Sequence, residues 1–85
     1  MAKQKIVQIG SDENLHGGNF SESKFFRHEK TDTEIGVTRQ WRNDGNGSAY
    51  HGYARGEKTG YVSTIGNSFI GFLEWIANLL VTLEK

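Results

Sequence analysis

Short apolar and polar residues alternate through much of this chain, and after Gly66 they give way to a nearly unbroken apolar run. Residues 5–9, rich in Ile and Val, read as a first short strand. Residues 10–23 are polar and contain Gly17-Gly18, which predicts a long loop or a mobile arm. Residues 24–31 predict a second strand, with Phe25 and Phe26 offering one ring to each face. From Glu34 a period of two is clear. Ile35, Val37, Arg39 and Trp41 point one way, and Gly36, Thr38, Gln40 and Arg42 the other. The run Asn43-Asp44-Gly45-Asn46-Gly47 holds an Asp-Gly and an Asn-Gly pair, which reach positive φ and predict a tight hairpin. Residues 48–55 return as a strand, with Ala49, His51 and Tyr53 alternating against Tyr50, Gly52 and Ala54. Residues 56–60 make the next turn and 61–65 the last strand. Successive strands joined by short turns pair as an antiparallel meander, here of four to five strands.

Asn67 or Ser68 caps a helix expected to run to about Leu83, roughly 25 Å. Phe69, Leu73, Ile76, Leu80 and Leu83 follow spacings of four and three, and this stripe is expected to pack across the sheet. Phe72, Trp75 and Leu79 widen it on one flank, Ile70, Ala77 and Val81 on the other. Only Gly71, Glu74, Asn78, Thr82 and Lys85 make a polar strip. The fold class that follows is α+β, an antiparallel meander packed by one C-terminal amphipathic helix, with residues 1–85 as one domain.

A small sheet hides only part of such a helix. Burial is worth about 25 cal/mol per Å², and an aromatic side chain carries ~150–250 Å². Phe72, Trp75 and Leu79 are therefore expected to be covered by a second copy of the chain, giving a homodimer. The arm of residues 10–23 folding over them is the competing reading.

Composition narrows the chemistry. With 85 residues and no cysteine, the chain has neither a disulfide framework nor thiolate zinc. His16, His28 and His51 lie far apart, so no metal and no cofactor are expected. Ten basic residues balance ten acidic ones, which removes any global field toward nucleic acid or membrane. The apolar run falls short of the ~20 residues a bilayer needs and Glu74 interrupts it, so no membrane partner is expected. The start of the chain lacks the apolar core of a signal peptide, and the cytoplasm is the expected location.

Reactive constellations are missing. The glycines around Gly45 and Gly47 lead into a strand where a phosphate loop would open a helix, and no glutamate completes a calcium loop after Asn43. Asp12-Glu13 and Asp32/Glu34 sit in polar segments that would not raise a carboxyl pKa. No small-molecule substrate is evident and the expectation is a non-enzyme.

What is left is binding. Arg39, Arg42, Tyr50, Tyr53 and Arg55, together with Trp41, have the composition of an interface hot spot. They predict a non-catalytic protein–protein interaction module, an inhibitor or adaptor of the kind common among small viral and mobile-element proteins. The alternative is single-stranded nucleic-acid binding, with bases stacking on Trp41, Tyr50 and Tyr53 and the arginines holding phosphates. The element order over residues 25–83 resembles the dimeric transcriptional-coactivator type of single-strand binder, whose terminal helices form the dimer core. The stretch 43–60 is longer than in that family, and Tyr50 and Tyr53 alternate onto opposite faces.

Overall fold

The computed structural model describes residues 6–16, 18–42 and 47–85. Five strands run in chain order: β1 (Ile6–His16), β2 (Asn19–His28), β3 (Thr33–Arg42), β4 (Ser48–Gly56) and β5 (Gly60–Gly66). Each pairs antiparallel with the next, so the sheet order is β1-β2-β3-β4-β5 and the expected meander is present with all five strands. Among the described residues one helix, α1 (Phe69–Glu84), follows and packs on one face.

Residues 10–23 depart from the loop or arm that their polarity suggests. They form the upper halves of β1 and β2, with Ser11 opposite Lys24 and Glu13 opposite Glu22. Ser, Asp, Glu and Asn have little intrinsic strand preference, but β2 is also templated from its other side by β3, where Ser21 faces Gln40 and Glu22 faces Arg39. Pairing overrides propensity here. The β1–β2 turn passes through Gly18, whose φ of 81° suits glycine. The expected Asn43–Gly47 hairpin lies outside the described residues, apart from Gly47.

Register and the period of two assign the faces. Phe26, Ile35, Val37, Gly52, Ala54 and Val62 point toward α1; Phe25, Gly36, Thr38, Tyr53 and Tyr61 point away. Ile35, Ala54, Leu79 and Leu83 are buried as the core, with Phe26, Val37, Trp75 and Leu80 packed against them.

Ser68 starts the helix, its side chain accepting from the Gly71 amide at 3.1 Å. The side of α1 that seats on the sheet is set by Gly52. A β-carbon there would stand 2.9 Å from both Phe72 and Trp75, so glycine is what leaves room for those rings over β4. The stripe that packs is therefore Phe72, Trp75, Ile76, Leu79 and Leu83. Phe72, Trp75 and Leu79, expected to await a second copy, lie instead on the chain's own sheet, because Gly52 opens a hollow for two aromatic rings. The arm-folding reading lapses with them.

α1 has 16 residues and spans about 24 Å, whereas the molecule is 45 Å long. The ends of β1–β4 near Phe20 and Trp41 extend beyond it.

Candidate interaction surfaces

At that uncovered end, Phe20 and Trp41 stack across β2 and β3, with centroids 5.5 Å apart and planes 13° from parallel. The Arg39 guanidinium lies over the Trp41 ring at 4.9 Å. Arg39 is exposed because the helix stops short of it, which removes the cost that burying its charge would carry. A cleft of about 550 Å³ opens beside the stack, bordered by Asn14, Asn19, Gln40, Arg42 and Ser48. Trp41 already packs against Phe20 on one side and Arg39 on another. This leaves it poorly placed as a platform for a base.

Tyr50 lies under α1, within 5.3 Å of Phe69 and 5.6 Å of Phe72 between centroids. Tyr53 is on the opposite face, laid across Gly36, whose missing side chain makes room for the ring. Its hydroxyl donates to Glu34 at 2.6 Å, and Arg55 reaches the other oxygen of the same carboxylate at 3.2 Å. The Tyr53 hydrogen bond and the Arg55 charge hold the Glu34 carboxyl below its ordinary value. Burial and then the Glu34 bond push the Tyr53 phenol up to about 12. Tyr61 stacks on Tyr53 from β5 at 6.2 Å.

The five residues expected to share one partner surface are thus divided. Arg39 and Tyr50 face the helix side, Tyr53 and Arg55 the open face, and Arg42 lies at the far end by the cleft. The structure does not bring them together.

Two surfaces escaped the sequence reading. The first is the outer flank of α1, where Phe69, Ile70, Leu73 and Val81 are 53, 69, 46 and 56% exposed. On a helical wheel these follow one another on one side, around from Phe69, which leans on Tyr50 of β4. Gly71, on the other side of the helix, lines a hollow shared with Thr64 and Gly66 of β5. The second surface is β5 itself, the last strand of the sheet, with Tyr61 67% and Ile65 77% exposed. For β5 the signal was legible, since no charged residue occurs from Gly60 to Gly66.

At the opposite end, His28 is fully buried. Its Nδ1 and the Thr31 and Thr33 hydroxyls form a chain of 2.8 Å hydrogen bonds that closes the β2–β3 turn. Nε2 of His28 has no partner among the described residues. No three His, Asp or Glu side chains gather as a metal site among those residues, and no helix there is long and apolar enough to cross a membrane. The chain matches no family model, no curated protein and no solved structure.

Proposed function

We propose that the chain is a non-catalytic protein-interaction module that works as a homodimer and presents the outer flank of α1 to another protein. One observation carries the reading: four large apolar side chains on that flank stay about half exposed or more after the helix has seated. Fully burying such a side chain is worth about 1.5–3 kcal/mol. Leaving roughly half of each of the four in water is still a large omission for a domain whose whole stability is of the order of 5–15 kcal/mol. Contiguous exposed apolar area of this kind marks an interaction site. The occupant that fits is an apolar groove or amphipathic helix of a protein, because the only charges on α1, Glu74 and Glu84, are acidic and would repel a phosphate.

The split placement of the arginines and tyrosines supports the protein reading over single-stranded nucleic acid. A stacking surface needs its rings on one face.

The test is the double substitution Ile70→Glu/Leu73→Glu. Both residues point outward, so the melting temperature is expected to hold within about 5 °C, while binding of a hydrophobic fluorescent dye is lost. Wild type is expected to scatter light as a dimer at high micromolar concentration. A collapse of the fold in the double variant would show the flank to be structural, and a strictly monomeric wild type would end the homodimer reading.

A further inference from the structure

The last strand offers more than apolar side chains. β5 pairs on one side with β4, from Tyr50↔Gly66 to Gly56↔Gly60, without a bulge. Its other side is the edge of the sheet. An edge presents a row of backbone donors and acceptors that another strand can take up. Proteins commonly protect such an edge with charge, proline, a bulge or a covering segment. β5 is regular, with neither charge nor proline among Gly60, Tyr61, Val62, Ser63, Thr64, Ile65 and Gly66.

We infer that β5 pairs antiparallel with β5 of a second copy, in the register centred on Ser63, joining two five-stranded meanders into one ten-stranded sheet. The inference rests on the homodimer reading above and names its interface.

The sequence of the strand is what selects a second copy over a foreign strand. A two-fold axis through an antiparallel pair sets each residue against its counterpart reflected about the centre. With seven residues in β5, only the register centred on Ser63 pairs the whole strand with itself. It sets Tyr61 against Ile65 and Val62 against Thr64. Aromatic–β-branched and β-branched pairs such as these favour cross-strand contact. Gly60 meets Gly66 at either end, so nothing bulky obstructs the approach. Tyr61 and Ile65 point to the open face, the same face as Tyr53. The stacked pair Tyr53–Tyr61 would therefore continue across the axis onto the Ile65 of the second copy. Absence of charge matters as much. Any single charged residue at the centre would face its own copy and repel it, and Ser63 is neutral and small.

The chain has no cysteine, so one introduced thiol reports one position. Residues facing each other in an antiparallel pair have Cα atoms about 4.5–5.5 Å apart, within the ~4.4–6.8 Å a disulfide spans. Ser63→Cys is expected to form a covalent dimer under mild oxidation, in nearly all of the protein. Tyr61→Cys is the register control. Its counterpart lies four residues along the pair, about 14 Å away, and it is expected to remain uncoupled. Light scattering of the wild type runs alongside. A wild-type dimer whose Ser63→Cys form does not cross-link, or whose Tyr61→Cys form links equally fast, overturns this interface and leaves the homodimer standing. A monomer at every concentration overturns both.

Discussion

The two ends of the sheet solve the same problem differently. β1 and β5 are both edge strands, and both expose apolar residues: Ile6, Val7 and Ile9 on one, Tyr61, Val62 and Ile65 on the other. β1 nevertheless has two protections. Its register shifts between Gln8 and Gly10, which bends the strand, and its upper half carries Asp12 and Glu13, both exposed. A second β1 laid against it would meet an interrupted ladder and like charges. β5 has neither device. The difference teaches that edge chemistry, more than exposed apolar area, decides which strand is open to a second chain.

The largest expected effect sets the scale for what is closed. Leu83 is 1% exposed at the centre of the core. Leu83→Ala should cost about 2–5 kcal/mol in a denaturant melt, and a cost under ~1 kcal/mol would mean that α1 is not seated as described. Next comes the transfer of β1's protection to β5. Ser63→Lys sets two ammonium groups against each other at the axis. It should raise the dimer dissociation constant at least tenfold, about 1.4 kcal/mol, as read by sedimentation, while the melting of the dissociated chain changes by less than ~0.5 kcal/mol.

The reciprocal change removes protection from β1. Asp12→Ser/Glu13→Thr should produce species larger than a dimer at high concentration. If the mass stays dimeric, the bulge alone closes that edge. The smallest effect concerns the Glu34–Tyr53–Arg55 cluster, which sits on β3 and β4, inside both edges. Because Glu34 is lowered in the folded chain, its contribution is present above its ordinary 4.5 and lost as pH falls through the lower folded value. Tyr53 is raised, so its contribution is present below its ordinary 10 and lost as pH rises toward about 12. Tyr53→Phe should cost about 1 kcal/mol at neutral pH and flatten both limbs of the stability profile, leaving the dimer mass unchanged.

Much of this fold could be read from the residues. Period-two alternation from Glu34 onward placed β3 and β4 and put Tyr50 and Tyr53 on opposite faces. A cap at Asn67 or Ser68 was legible because two capping side chains stand just before an apolar run, and the structure uses Ser68. Residues 10–23 were not legible, since their strand character comes from the neighbour they pair with. Nor was the seated side of α1. Its apolar arc covers so much of the helix that periodicity cannot choose among Phe72, Trp75 and Leu79 or Phe69, Leu73 and Val81. Gly52, a single missing β-carbon on another strand, makes that choice. The partner residues failed as a group for a related reason: composition placed Arg39, Arg42, Tyr50, Tyr53 and Arg55 in one stretch, while alternation and the length of the strands spread them over two faces and a far end.

Backbone amide exchange on β5 and β1, measured across a dilution series, probes the asymmetry of the edges directly. Along Val62, Ser63 and Thr64 the amides that point away from β4 should become more protected as concentration rises, while the outward amides along Ser11, Asp12 and Glu13 on β1 stay as they are. Equal, concentration-independent exchange on the two strands would contradict the account.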